Sequence, residues 1–100
     1  MIRHIVMFRL REFGTPEEKT KAIKTVREEL LSMKKKIDVI REFEVGVNFT
    51  VDNSSFDLMI NSTFESRDAL KAYQVHPDHK AFILFNKDYS VKKAIFDYEF

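Results

Sequence analysis

The sequence has no cysteine, only two glycines and only two prolines among its 100 residues. The lack of cysteine excludes disulfides, thiolate nucleophiles and thiolate metal sites, which is typical of proteins in a reducing compartment. Two glycines are too few for a glycine-rich loop that binds phosphate groups. No hydrophobic run approaches the roughly 18 residues that a membrane-spanning helix needs, so no membrane partner is predicted.

Neither sign of charge is in clear excess. The chain has 17 basic and 16 acidic residues, which gives a formal net charge of +1. Because nucleic acids and anionic membranes attract strongly basic proteins, this balance disfavours both partners. The N-terminal segment MIRHIVMFRLRE lacks the long apolar core and the small-residue cleavage site of a signal peptide. We therefore expect a cytoplasmic location.

Hydrophobic periodicity predicts the first half of the chain as a strand followed by a long helix. Residues 2–10, IRHIVMFRL, alternate in polarity and are rich in β-branched and aromatic side chains, which is typical of a strand. Thr15-Pro-Glu-Glu18 is a capping box with proline at the first helical position. Apolar residues at helical spacing then extend this amphipathic helix over residues 16–36.

The second half predicts a hairpin, a helical segment and a final strand. REFEVGVNF and FDLMINSTF both alternate and are joined by turn-forming residues, so they are expected to pair antiparallel. Ser66 is expected to cap a short helix, and VKKAIFDYEF to form the last strand. The predicted order is β-α-β-β-α-α-β in one domain, residues 1–100. This order favours an α+β, ferredoxin-like fold with one antiparallel sheet and the helices on one side.

A histidine-proline segment, YQVHPDHKAF from Tyr73 to Phe82, joins the last two predicted helices. Proline disfavours helical backbone in the residue before it and is well suited to the first position of a helix. His76 is therefore expected to end one helix, and His79 to lie in the first turn of the next. The bend between them presents polar groups.

The alternation of the strands assigns an apolar patch to the sheet face that no helix can cover. Its charged surroundings are typical of a protein interface, and a second copy of the chain is the simplest partner. A homodimer through this face is therefore predicted. Phe96 and Tyr98 are predicted to lie on the opposite face, packed against the helices, with Asp97 on the charged rim of the patch. The patch itself is predicted to contain Ile5, Met7, Met59 and Ile95.

A set of short segments occurs in a specific order along the chain: His4-Ile-Val-Met-Phe8, Glu44-Val-Gly46, Phe64-Glu-Ser66, the segment from Ala72 to His79, and Phe96-Asp-Tyr98. Together they resemble the stress-responsive A/B barrel (Dabb) family over nearly the whole chain. The resemblance implies a ferredoxin-like monomer whose sheet closes against a second copy into a dimeric α/β barrel. The family includes plant stress proteins, bacterial members without a known activity, and plant olivetolic acid cyclase, which folds a polyketide by aldol condensation.

The resemblance also implies candidate site residues. In the cyclase a tyrosine and a histidine of the matching segment act on the substrate, which implies catalytic roles for Tyr73 and His79. A histidine near a helix N-terminus is kept neutral by the helix dipole and can accept a proton, and a tyrosine can polarise a carbonyl. The first helix of the cyclase carries aromatic residues where this chain has aliphatic ones, so a long polyketide is not expected. The candidate ligand-binding residues are His4, Val6, Phe8, Val26 and His76.

Several functions remain open from the sequence. The protein is expected to bind a small carbonyl or phenolic ligand between the sheet and the helices. Alternatively it is a polyketide-cyclase-like lyase, or a purely structural stress-response dimer in which the histidines cap helices and hydrogen-bond within the fold. His4, His76 and His79 match the ligand count of a catalytic zinc site. They lack a carboxylate partner, so neither a metal nor another cofactor is predicted.

Overall fold

The computed structural model describes residues 1–100 as four strands and three helices in the predicted order. This order and the single antiparallel sheet confirm the ferredoxin-like α+β fold. The strands are β1 (Ile2–Leu10), β2 (Glu42–Val47), β3 (Leu58–Phe64) and β4 (Ser90–Glu99), and the helices are α1 (Pro16–Lys36), α2 (Arg67–Val75) and α3 (Pro77–Asn86).

The strands pair antiparallel in the order β2-β3-β1-β4. The N-terminal strand β1 is thus central, and it pairs with β3 on one side and with the C-terminal strand β4 on the other. The β1–β4 ladder is regular except for a register shift between Arg9 and Leu10. The C-terminal strand β4 is an edge strand, and the two ends of the chain lie side by side on β1 and β4.

Local capping fixes where α1 begins. The Thr15 hydroxyl accepts a hydrogen bond from the Glu18 backbone amide at 3.2 Å, and Pro16 occupies the first helical position. The Glu18 carboxylate in turn accepts a hydrogen bond from the Gly14 amide at 3.0 Å. Such caps satisfy backbone amides that have no partner inside the helix, so α1 begins at the predicted residue.

The hydrophobic core lies between the helices and one face of the sheet. Val26 and Leu30 of α1 and Phe64 of β3 are fully buried. Burying each such side chain stabilises the fold by about 1.5–3 kcal/mol. Val26, a predicted ligand-binding residue, is thus part of the packed core.

The orientation of β4 differs from the prediction. Ile95 is paired with Val6, and Phe96 with Ile5. Directly opposed residues of an antiparallel pair project to the same face, so Ile95 lies on the helix-facing side and Phe96 on the open side. The assignment of Ile95 to the apolar patch is therefore wrong. The more apolar alternate residues of this strand, Ala94, Phe96 and Tyr98, therefore face away from the helices, because the register with β1 fixes which side chains share a face.

The open face of the sheet is consequently more aromatic than predicted. Ile5, Met7 and Met59 lie on it, as the sequence indicated, and are half-buried. Phe96 is 65% exposed and Tyr98 is 39% exposed on the same side. The helices leave this apolar surface uncovered.

A single residue connects α2 to α3. His76 has extended backbone (φ −64°, ψ 138°) and serves both as the C-cap of α2 and as the N-cap of α3. Its Nδ1 accepts a hydrogen bond from the Asp78 amide at 3.1 Å, and Pro77 occupies the first position of α3. The predicted bend is confirmed.

We expect Pro77→Ala to destabilise the protein by about 0.4–1 kcal/mol. Pro77 restricts both its own backbone and that of His76 in the unfolded chain, whereas alanine adds conformations that folding must then remove. Urea denaturation measures the effect as a lower midpoint with an unchanged slope. An unchanged midpoint would show that the proline does not set the geometry of the bend.

Candidate functional site

A cavity of about 470 Å³ lies between α3 and the helix-facing side of β1 and β4. Small-molecule sites typically measure roughly 300 to 1,000 Å³, so a compound with one aromatic ring fits this space. Its apolar walls come from all three elements and include Val6, Phe8, Phe82 and Ile95. His4, Tyr73 and His79 also line the cavity, together with polar residues that include Gln74, Asn86 and Ser90.

His79 lies in the first turn of α3 and is half-buried. Its Nδ1 is 3.0 Å from the backbone carbonyl oxygen of Gln74, which can only accept, so Nδ1 carries the proton. Nε2 is then the nitrogen with a free lone pair. Burial lowers the pKa of His79, and the nearby charges of His4 and Lys93 lower it further. The ring is therefore neutral at neutral pH, as the sequence predicted, but burial is the main cause.

Tyr73 projects from α2 and is almost completely buried, with 1% of its surface exposed. Its ring centroid lies 4.5 Å from that of His79 and 5.0 Å from that of Phe64. Burial raises the pKa of the Tyr73 hydroxyl above its ordinary value. The hydroxyl thus stays protonated and is a hydrogen-bond donor beside a neutral imidazole.

His4 is held by a carboxylate that the sequence reasoning placed on the opposite face. His4 is 3% exposed, and its Nδ1 makes a short hydrogen bond to Asp97 Oδ1 across the β1–β4 ladder. Its ring also contacts Tyr73 edge-on, with 6.0 Å between the ring centroids. The register of β4 was the missing information, because His4 and Asp97 are direct partners in it. Asp97 therefore orients His4 at the edge of the cavity.

The structure brings five of the seven predicted site residues to the cavity. These five are His4, Val6, Phe8, Tyr73 and His79.

Two predicted ligand-binding residues lie elsewhere. Val26 packs in the core, and His76 caps α3 without lining the cavity. Phe82, Ile95 and Lys93 line it but were not identified from the sequence. The position of Phe82 one turn after His79 on the same helix was the available signal for that residue.

The histidines do not converge on one point. No group of three or more histidine, aspartate or glutamate side chains is placed to hold a metal ion. His4 instead bonds Asp97, His76 caps a helix, and His79 bonds a backbone carbonyl.

None of the helices combines the length and apolar character needed to cross a bilayer.

The cavity joins a proton acceptor to a proton donor in apolar surroundings. Nε2 of His79 can accept a proton or a hydrogen bond, and the Tyr73 hydroxyl can donate to a ligand oxygen. Such a pair binds an oxygen-containing ligand. It can also assist proton removal next to a carbonyl, because the phenol stabilises the resulting enolate.

Comparisons with known proteins agree with the fold. A family model described as the stress responsive A/B barrel domain matches residues 2–100. An uncharacterised protein of Streptomyces coelicolor is 32% identical over 100 residues, which is 100% of both chains. A dimeric ferredoxin-like protein of unknown function from Bacteroides fragilis is 33% identical with a TM-score of 0.84, covering 99% of this chain and 95% of that one. Hydroxynitrile lyase from Passiflora edulis is 19% identical with a TM-score of 0.79, covering 97% and 90%, and shares the fold.

The lowered pKa of His79 predicts a loss of stability in weak acid. The unfolded histidine has a pKa near 6.5 and the folded one a lower pKa, so the unfolded chain binds more protons as the pH falls below 6.5. Between about pH 7 and about pH 5 the wild type should therefore lose more stability than His79→Gln. Urea denaturation across this range measures the difference. Lys80→Gln in the same helix should keep the wild-type slope, and equal slopes for all three proteins would contradict the prediction.

Proposed function

The chain belongs to the stress-responsive A/B barrel (Dabb) family, and from that premise we propose that its cavity binds a small carbonyl or phenolic compound. The supporting observation is the contact between the neutral imidazole of His79 and the buried phenol of Tyr73 in one cavity. Nε2 of His79 can accept a hydrogen bond, and the Tyr73 hydroxyl can donate one. A ligand hydroxyl, which both donates and accepts, matches this pair.

The cavity walls favour an aromatic or conjugated ligand. Val6, Phe8 and Ile95 form an apolar wall on the helix-facing side of the sheet. Phe82 of α3 contacts Phe8, with 6.0 Å between the ring centroids. A planar ring placed there is removed from water, which contributes about 25 cal/mol per Å² of apolar surface buried. The ligand oxygen would then lie toward Tyr73 and His79.

One further observation favours a lyase as a second candidate. Because the Gln74 carbonyl binds the protonated Nδ1 of His79, the basic nitrogen is fixed in one tautomer. A fixed base beside a phenol is suited to proton abstraction next to a carbonyl, the step that opens an aldol-type cyclisation. A fold relative is named a hydroxynitrile lyase. The alternative without any ligand is a structural dimer in which these side chains only pack.

A thermal-shift screen of wild type, His79→Ala and Lys80→Ala tests the binding proposal. We expect 4-hydroxybenzaldehyde and resorcinol to stabilise the wild type and Lys80→Ala, and to leave His79→Ala unshifted. A ligand with enolisable protons separates catalysis from binding: exchange of the methyl protons of 4-hydroxyacetophenone for deuterium, followed by NMR, should be accelerated by wild type and Lys80→Ala and not by His79→Ala. If His79→Ala is destabilised by about 1–3 kcal/mol and no protein responds to any ligand, the histidine is structural.

We also propose that the protein is a homodimer closed through the open sheet face. Phe96 is largely exposed there beside Ile5, Met7 and Met59. In a symmetric dimer each copy would bury this same patch against the other. Arg3 on this face has a buried Nε without a hydrogen-bond partner, which a second chain could provide. The Bacteroides fragilis relative is described as dimeric.

Met59→Glu should shift the protein from dimer to monomer and lower its stability. The new carboxylate would be removed from water at the centre of the interface without a partner, which is strongly unfavourable. Light scattering at micromolar concentration measures the mass. Leu84→Glu is the matched control, because it puts the same charge on an exposed position of α3, and it should remain dimeric. A wild-type monomer at this concentration would contradict the proposal.

A further inference from the structure

The charged residues of the cavity all have the same sign. Lys87, Lys92 and Lys93 belong to its lining, and no aspartate or glutamate does. The chain as a whole is nearly balanced, with 17 basic and 16 acidic residues. Lys92 belongs to the lining although its side chain lies on the other face of the sheet, so Lys87 and Lys93 supply the positive charge that attracts anions into this apolar space.

Lys93 is the lysine with the best position for a ligand. It is paired with Phe8, whose side chain lies on the helix-facing side, so Lys93 projects to the cavity side of the sheet. Lys92 is paired with Arg9 on the opposite face, and its Nζ lies 5.8 Å from the Phe56 ring centroid. Lys87 lies at the C-terminal end of α3.

The charge of Lys93 is not used within the fold. The ion pairs of the chain involve Lys19, Arg41, Arg67 and two histidines, and none involves Lys93. The carboxylate of Asp97, on the same side of β4, is bonded to His4. The charge of Lys93 also contributes, after burial, to the lowered pKa of His79, which lines the same cavity.

On the basis of the proposed binding function, we propose that the ligand is a small aromatic carboxylate. Its carboxylate group binds Lys93, and a hydroxyl or carbonyl oxygen at the other end of the ring binds Tyr73 and His79. The two binding points lie toward opposite ends of the cavity. His4, in contact with Tyr73, and Phe8, paired with Lys93, are four residues apart on β1, or about 13 Å at roughly 3.3 Å per residue. A ring substituted at both ends fits between them once the lysine side chain extends inward.

A carboxylate fits this site better than a phosphate group. Phosphate sites usually supply several backbone amides from a glycine-rich loop or a helix N-terminus in addition to a basic side chain. The surroundings of Lys93 are apolar, with Phe8 beside it and Val91 and Ile95 two positions away on β4. One ammonium group in such surroundings matches a single negative charge.

Calorimetric titration of matched ligands tests this inference. The probes are 4-hydroxybenzoate, the neutral 4-hydroxybenzaldehyde and phenyl phosphate, each against wild type, Lys93→Gln and Lys80→Gln. We expect the wild type and Lys80→Gln to bind 4-hydroxybenzoate at least about tenfold more tightly than the aldehyde, and Lys93→Gln to lose this preference. The preference should also decrease at high salt, because Lys93 is exposed to solvent and its charge is screened.

The outcomes separate the inference from the function on which it rests. Equal binding of benzoate and aldehyde by the wild type, or a preference that survives in Lys93→Gln, would overturn the inference and leave the binding proposal intact. Tighter binding of phenyl phosphate than of the carboxylate would overturn the assigned ligand class. Failure of the wild type to bind any of the probes would overturn both proposals.

Discussion

A four-stranded sheet has two faces, and the three helices of this chain cover only one of them. The other face must meet water or another molecule, and its aromatic and sulfur-containing side chains favour the latter. The orientation of β4 divides its side chains between these two faces. The strand turns Phe96 and Tyr98 outward and Lys93, Ile95 and Asp97 toward the helices, so the side chains that reach the cavity alternate along β4 with those of the open face.

The cavity depends on the same ladder. β1 provides His4, Val6 and Phe8, and β4 provides Ile95 and Lys93 directly opposite. Helices α2 and α3 then place Tyr73 and His79 over these strands through the bend at His76. Positions far apart in the sequence thus form the polar end of one cavity. The proposed ligand would contact both strands and both short helices.

The parts of the fold that depend on local signals could be predicted from the sequence. Thr15 and Pro16 mark the start of α1, Ser66 caps α2, and His76 with Pro77 separates α2 from α3. The parts that depend on packing could not. On β4 the more apolar alternate residues were assigned to the helices, which placed Ile95 and Asp97 on the wrong face.

The candidate site was predicted in part for the same reason. Tyr73 and His79 lie in a motif that can be read from adjacent residues, whereas Lys93 required the register between distant strands. The spacing of Val26 places it on the inner side of α1 but does not say whether that part of the helix meets a cavity or the core. Depth within a packed interior is a property of the whole fold and is not encoded in the periodicity of one element.

The pairing of β1 with β4 also has a consequence for the order in which the molecule folds. Met1 and Phe100 are joined by backbone hydrogen bonds, so this ladder closes a loop that contains almost the whole chain. Such contacts form late, because the loss of chain entropy precedes the gain from pairing, and they slow folding. During synthesis α1 and the β2–β3 hairpin can form while β1 still lacks one neighbour. The cavity is therefore completed only when β4 joins the sheet.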